Sequence, residues 1–330
     1  MTTTDTGVAA AAILPKTARA YVSLLLGVLC IGFSGIFARS ADAPGIVMAV
    51  WRVGTATAVL AIPFLRQPAP QRRVRRSLLA GAMLGGLLFS GDLGLWNASL
   101  DHTTAANATF LGNASPIWVG LLTLFVLREG LPRRFWPGVS VAVGGAAFLI
   151  FGGGDVRARQ GDLMALTASV FWASYQVVTG RVRPHLSNLS YIWVMSATSF
   201  LILLPVPSLS GYALVGYSAD ATLKLLGAGL VSQVGGYLGI NYALGHLPAA
   251  RVSVALLLQP VLTAILAYLL LGESFGGWRL LGGGLILAGV YLVTRPEGPF
   301  LRRSRPPDSP VNNSGPPESA ARQKNSISGR

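Results

Sequence analysis

The chain has 330 residues, of which 38 are charged (26 Lys and Arg plus 12 Asp and Glu), about 12%. A soluble globular domain carries about twice that fraction, so this composition, with 52% hydrophobic residues and a mean hydropathy of +0.56, excludes a water-soluble body of this length. The net charge of +14 does not indicate nucleic-acid binding, because the Arg residues form short clusters between apolar runs and not one basic face.

Ten apolar runs follow one another along the chain, each near the roughly 20 residues that a transmembrane helix needs. The first five runs are 20–37, 44–65, 78–100, 105–127 and 135–151. The second five runs are 163–179, 189–207, 222–244, 252–271 and 280–293. The linkers between them leave no room for a soluble domain. The sequence therefore predicts an all-α polytopic membrane protein with ten transmembrane helices.

The basic residues between the runs predict the orientation, because positive charge accumulates on the cytoplasmic side of a membrane. With both termini inside, 20 Lys and Arg lie on the cytoplasmic side and 5 on the other, and Arg52 lies within a run. We predict a protein of the bacterial cytoplasmic (inner) membrane with both termini cytoplasmic. Residues 1–19 are then a cytoplasmic N-terminal segment, and 296–330, rich in Pro, Ser, Asn and Arg, a disordered cytoplasmic tail.

The two halves of the chain align when the sequence is shifted by 144 residues. The matched pairs include Pro116 with Pro260, Glu129 with Glu273, Asn97 with Asn241, Gly138 with Gly282 and Gly145 with Gly289. The first run aligns at a shift of 141, where Ser34 matches Tyr175. We therefore predict two repeats, 20–151 and 160–295. A signal peptide cleaved after Ala43 is an alternative for the first run, and it would break this symmetry.

Each repeat contains five runs, and because five is odd the second copy must cross the membrane in the opposite sense. The sequence thus predicts two inverted five-helix repeats, an arrangement that recurs in secondary transporters. Two similar halves of opposite orientation can exchange conformations, so that an inward-open state mirrors an outward-open one. This symmetry favours alternating access over a static channel.

Each repeat also has a proline in its fourth run, which ends in Leu-Arg-Glu (127–129) or Leu-Gly-Glu (271–273), followed by a glycine-rich fifth run. Over about 20–295 this pattern resembles the drug/metabolite transporter superfamily, specifically its ten-helix EamA-type family and the amino-acid exporters in it. The resemblance implies two EamA-like repeats and a small-metabolite substrate such as an amino acid, nucleoside or vitamin. It also implies a central cavity lined mainly by helices one, three, four, six, eight and nine.

Two formal charges, Arg52 and Asp92, lie well inside the runs. Each is about eight residues from the same predicted side, roughly 12 Å into the membrane, where an unpaired charge is costly. One interpretation is a structural ion pair that ties two helices together. In the other, Asp92 is a proton-coupling site or contacts a substrate ammonium, and Arg52 contacts a carboxylate or tunes Asp92.

Other polar and aromatic side chains in the runs are candidates for the substrate cavity. They are Trp96, one turn after Asp92; the pairs Trp172 with Gln176 and Gln233 with Tyr237; and Asn113 and Gln259, which precede the two prolines. For each amide, a hydrogen bond between helices is the alternative. Pro116 and Pro260 are predicted to kink their helices, because a proline frees a carbonyl from the helix ladder.

The sequence predicts a secondary transporter that exports amino acids or similar neutral or zwitterionic solutes by alternating access. No GxxxxGK[ST] motif occurs, so ATP does not drive it directly, and no cofactor or metal is expected. The predicted partners are the lipid bilayer, a small-molecule substrate and protons, without nucleic acid; the repeat makes a monomer sufficient and leaves a homodimer open. The alternatives are an importer or exchanger of another metabolite, a channel, and an intramembrane enzyme, which the absence of clustered catalytic side chains disfavours.

Overall fold

The computed structural model describes residues 15–68, 74–100, 102–103, 105–151, 160–271 and 277–295. The predicted tail 296–330, most of the N-terminal segment and Glu273 lie outside these residues. The first repeat contains α1 (Lys16–Ser40), α2 (Gly45–Leu65), α3 (Arg76–Ser99), α4 (Ala105–Gly112, Ser115–Leu121 and a π-helical turn, Leu122–Val126) and α5 (Phe135–Phe151). Pro15 and Pro44 immediately precede α1 and α2, at helix starts where the missing N–H has no intrahelical acceptor.

The second repeat has the same succession of five passes. They are α6 (Gln160–Val182), α7 (Asn188–Leu203), α8 (Ala219–Gly227, the π-helical Ala228–Gly236 and Tyr237–Leu244), α9 (Ala249–Ala255 and Leu258–Leu271) and α10 (Gly277–Thr294). The side chains of Ser187 and Ser218 cap α7 and α8 by accepting hydrogen bonds from the first turn.

Seven of the ten passes in the described part of the chain are helices long and apolar enough to cross a membrane, and α5 and α10 are shorter apolar helices. α6 is more polar because it turns Ser169, Gln176 and Thr179 into the protein, where all three are fully buried. Large apolar side chains instead face outward, as at Leu201, which is 69% exposed. The prediction of an all-α polytopic membrane protein is confirmed.

The packing of the helices relates the two repeats by a two-fold operation. α3 packs on α6 and α7, as α8 packs on α1 and α2. α5 packs along α10, where a Cβ at Gly138 would lie 3.0 Å from the Gly289 carbonyl oxygen and one at Gly145 would lie 2.8 Å from that of Gly282. The 144-residue shift equates Gly138 with Gly282 and Gly145 with Gly289, so it converts each of these two contacts into the other.

Pro116 and Pro260, which are predicted to kink their helices, lie just after interruptions of α4 and α9. α4 stops at Gly112 and restarts at Ser115, and α9 stops at Ala255 and restarts at Leu258. Pro116 and Pro260 are the second and third residues of the restarted segments. There a proline sacrifices no intrahelical hydrogen bond, because the first-turn N–H groups have no acceptor in the helix.

Beyond the π-helical turn of α4, Glu129 forms an ion pair with Arg181 at the end of α6. Arg128, just before it, has a φ of 56°, a left-handed conformation that is uncommon outside glycine. The ion pair thus connects the turn after α4 to the end of α6. Both side chains of this ion pair are about half exposed, so the pair contributes little to stability.

Candidate functional site

Arg52 is the central charged group inside the membrane-spanning region. It lies on α2, is 8% exposed, and donates hydrogen bonds of 3.2 Å to Ser34 Oγ on α1 and of 3.2 Å to Gln233 Oε1 on α8. The guanidinium therefore connects the first repeat to the second. Its Nε is buried and forms no hydrogen bond with the described residues.

Asp92, on α3, is half-buried and interacts electrostatically with Arg52. Its carboxylate forms neither an ion pair nor a hydrogen bond with any residue that the structure describes. No ion pair joins Arg52 to Asp92 in this conformation, in which the guanidinium instead donates to Ser34 and Gln233. Tyr237 lies within electrostatic reach of both charges.

Four aromatic rings pack beside these charges and are called here the aromatic cluster: Phe89, Trp172, Tyr175 and Tyr237. Trp172 stacks on Tyr175 with ring centroids 5.2 Å apart and an interplanar angle of 10°. Phe89 meets the edge of Tyr237 at 4.9 Å and lies 5.4 Å from Tyr175. Such offset and edge-to-face contacts are the favourable geometries for aromatic rings. The cluster joins α3, α6 and α8 near the middle of the membrane.

The structure brings five of the predicted site residues into this region. Arg52, Asp92, Gln233, Trp172 and Tyr237 belong to the connected group of charges and rings just described. Gln176, one turn after Trp172, is fully buried, and neither of its amide atoms has a hydrogen-bond partner among the described residues. A buried amide without partners is unfavourable unless another state of the protein satisfies it.

Three predicted residues have described contacts of a local kind. Trp96 packs against Gly112 of α4, because a Cβ atom added to Gly112 would lie 3.2 Å from Trp96 Cδ1. Asn113 Nδ2 donates 2.8 Å to the Thr109 carbonyl at the interruption of α4. Gln259 lies half-buried at the interruption of α9. These contacts do not connect the three side chains to Arg52 or the aromatic cluster.

Three side chains at the site were not singled out from the sequence: Ser34, Phe89 and Tyr175. Helical spacing offered a signal for two of them, because Phe89 precedes Asp92 by three residues and Tyr175 follows Trp172 by three, so each shares a face with a predicted residue. Ser34 offered none, since one serine in an apolar run is common. Among the described residues, no three His, Cys, Asp or Glu side chains converge as metal ligands do.

Comparison with known proteins agrees with this architecture. The model of the EamA-like transporter family matches residues 18–151 and again 159–295. A solved crystal structure superposes with a TM-score of 0.73 over 83% of this chain and 96% of its own, at 17% identity, which shows a shared fold.

Two curated relatives carry functional names. A probable terminal-alkyne amino-acid exporter of Streptantibioticus cattleyicolor is 29% identical over 72% of this chain and 80% of its own length. A probable amino-acid metabolite efflux pump of Salmonella typhimurium is 30% identical over 57% of this chain and 67% of its own length. An uncharacterized transporter of Archaeoglobus fulgidus is 29% identical over 59% of this chain and 69% of its own. With ten helical passes, two matches to one family model and relatives named as transporters, this chain is an integral membrane protein, a small-molecule transporter, and a member of the EamA-like transporter family.

Proposed function

We propose that this protein exports amino acids or similar zwitterionic solutes across the bacterial inner membrane by alternating access, without converting them chemically. One observation carries the proposal: a guanidinium and a carboxylate lie close together inside the membrane without pairing, beside four aromatic rings. Charges at this depth are costly unless they are paired or face a solute or water.

The recognition chemistry follows from these groups. A zwitterionic amino acid carries one carboxylate and one ammonium group, so Arg52 would bind the carboxylate and Asp92 the ammonium. Charge-assisted hydrogen bonds of this kind are stronger than neutral ones. The aromatic cluster supplies an apolar surface for the rest of the solute. The Asp92 carboxylate, which forms no hydrogen bond with the described residues, and the N–H groups of Arg52 that Ser34 and Gln233 do not use would bind the ligand.

Direction, energy source and assembly complete the proposal. Export is favoured by the relatives named as an exporter and an efflux pump, and cytoplasmic termini by the distribution of Lys and Arg. Asp92 is also the carboxylate that would carry a coupling proton, since it forms neither an ion pair nor a hydrogen bond with the described residues. One chain contains every residue of the site, which makes a monomer sufficient.

Counterflow in proteoliposomes tests the proposal. Vesicles loaded with one unlabelled neutral amino acid are expected to take up labelled amino acid at least tenfold faster than protein-free vesicles. Asp92→Asn is expected to reduce exchange or pH-driven accumulation, whereas Asp42→Asn, in the exposed loop between α1 and α2, is the matched control and is expected to leave both unchanged.

The outcomes separate the roles of Asp92. Loss of both activities in Asp92→Asn means that the carboxylate binds substrate, and loss of pH-driven accumulation alone means that it couples transport to protons. If both survive, Asp92 has a structural role. No exchange with any amino acid would contradict the proposed substrate class and direct the same assay to nucleosides and vitamins.

A further inference from the structure

Five polar residues form a buried group that extends from Tyr175 of the aromatic cluster toward one end of the molecule. We name it the polar plug: Tyr175, Thr179, Arg183, Tyr191 and Asn241. Tyr175 Oη donates to Asn241 Oδ1 at 2.7 Å, the hydroxyls of Thr179 and Tyr191 are 2.6 Å apart, and Arg183 Nε donates to the Asn241 carbonyl oxygen at 3.1 Å. None is more than 6% exposed.

The plug lies at one end of the molecule. Thr179 is three residues before the end of α6, Tyr191 three residues after the start of α7, and Asn241 three residues before the end of α8. The basic residues of the loops concentrate at this end, which is cytoplasmic in the proposed orientation. Thr179, Arg183, Tyr191 and Asn241 therefore lie between the aromatic cluster and the cytoplasm.

The plug also joins the second repeat to the first. A Cβ atom on Gly85 of α3 would lie 2.3 Å from Tyr191 Oη, so the tyrosine hydroxyl fits directly against the backbone of α3. Tyr191 therefore contacts Thr179 of α6 on one side and α3 on the other. Three helices from two repeats meet at this hydroxyl without space between them.

The opposite end of the molecule is joined by different hydrogen bonds: Lys224 Nζ of α8 donates to the Ser40 carbonyl of α1 at 2.8 Å, and Asn107 Nδ2 of α4 donates to Asp162 of α6 at 3.1 Å. The repeat equates Asn97 with Asn241 and Ser34 with Tyr175, yet Asn97 Nδ2 donates to the Leu93 carbonyl of its own helix at 2.7 Å and Ser34 accepts from Arg52. Asn97 and Ser34 are half-buried, whereas Asn241 and Tyr175 are fully buried. Both ends are therefore cross-linked, and the Tyr175–Asn241 hydrogen bond has no equivalent at the repeat-related positions.

The end of the molecule that contains the plug has buried amide groups without hydrogen-bond partners among the described residues. Both amide atoms of Gln176 and the Nδ2 of Asn241 are buried and form no hydrogen bond with the described residues. Buried polar groups in this condition have lost hydration without compensation. Water entering between α6 and α8 would satisfy them, so opening this end gains hydration while it breaks the hydrogen bonds of the plug.

We propose that the polar plug is the closed cytoplasmic gate, and that loading from the cytoplasm requires α8 to separate from α6 and α7 at the Tyr175–Asn241 hydrogen bond. This gate rests on the proposed alternating access. It assigns Thr179, Arg183, Tyr191 and Asn241 a positioning role: they set whether the cytoplasm reaches the site and do not contact the solute, whereas the ring of Tyr175 belongs to both the site and the gate.

Spin-label distance measurements in proteoliposomes test the gate, in a chain whose one cysteine is replaced (Cys30→Ala). Labels at the exposed His185 and His246 report on the cytoplasmic end, and labels at the exposed Asp42 and His102 report on the other end. In the protein with an unsubstituted plug, the distance between the labels at 185 and 246 is expected to be mainly the short one of the closed end. Tyr175→Phe removes one hydroxyl and is expected to raise the open fraction relative to the closed roughly fivefold, the factor that one net hydrogen bond represents.

Asn241→Leu is expected to shift the same equilibrium further, and Asn97→Leu at the symmetry-related position is the matched control that leaves the cytoplasmic distance unchanged. An unaltered cytoplasmic distance in Tyr175→Phe overturns the proposal, even if Asn241→Leu fails to fold. Equal opening by Asn97→Leu overturns it too. Distances that respond as expected in a protein without amino-acid counterflow would retain the gate and reject the proposed substrate class, so the two failures are distinguishable.

Discussion

Two buried glutamines near the site have contrasting surroundings. Gln233 Oε1 accepts a hydrogen bond from Arg52, whereas neither amide atom of Gln176 has a partner in the described part of the protein. Both side chains are fully buried, so burial by itself does not separate them. A buried amide that pairs with a charged group stabilises the fold, and one that pairs with nothing opposes it.

We therefore expect substitutions of the two glutamines to act in opposite directions. Gln176→Met keeps the length of the unbranched side chain and removes the unpaired amide, which is expected to raise the free energy of unfolding by about 1–3 kcal/mol. Gln233→Met removes the acceptor of a charged donor and is expected to lower it by a similar amount. Thermal unfolding of the purified protein measures both. A destabilising Gln176→Met would mean that its amide has a bound water or another partner.

The same substitution at Gln176 has an expected consequence for transport. If the amide is hydrated only when the cytoplasmic end is open, methionine stabilises the closed end and slows exchange. A protein that becomes more stable and less active is the usual result where a functional group opposes the fold.

At the scale of helices, glycines decide how closely passes approach one another. In α5, an added Cβ at Gly145 would lie 2.7 Å from the Ile286 backbone nitrogen of α10, whereas one at the adjacent Gly144 would meet nothing within 4 Å. The two glycines are neighbours in sequence on different faces of one helix. The sequence alone does not distinguish Gly144 from Gly145.

Alanine substitution separates these two glycines. Gly145→Ala forces α5 and α10 apart along their backbones and is expected to cost about 1–3 kcal/mol. Gly144→Ala is the matched control, expected to be neutral or to stabilise by up to about 1 kcal/mol, since alanine favours helix. Thermal unfolding in detergent and yield of folded protein are the measurements. Equal destabilisation by both would contradict the described contact between α5 and α10.

The interruptions in α4 and α9 show what sequence patterns convey about helices. The prolines correctly marked two irregular points at matching positions of the repeats. Their form depended on the neighbouring turns, Asn113–Ala114 and Leu256–Leu257, which separate two helical segments in each pass. The π-helical stretch of α8, which packs against α1 and α2, was not foreseen either.

At the scale of the whole molecule, the orientation in the membrane follows from the Lys and Arg between the passes. Full-length fusions are expected to give fluorescence with a C-terminal green fluorescent protein and no activity with alkaline phosphatase, which folds outside the cytoplasm. Fusions truncated after Tyr212, between α7 and α8, are expected to give the reverse pair. Phosphatase activity in the full-length fusion would contradict cytoplasmic termini, and with them the assignment of the polar plug to the cytoplasmic side.

The sequence by itself determined the membrane class, the ten passes and the internal repeat. Hydropathy and the repeated positions of Pro, Glu, Asn and Gly are properties of the chain, so they can be recognised without knowing which residues are neighbours in space. It also identified Arg52 and Asp92, since formal charges in apolar runs are rare. Only the tertiary structure decided that Arg52 binds Ser34 and Gln233 while Asp92 remains unpaired, and that Tyr175 and Asn241 are joined while their repeat counterparts are not. Hydrogen-bond partners depend on which side chains of distant helices come within about 3 Å, and helical spacing places a residue on a face without stating which helix covers that face.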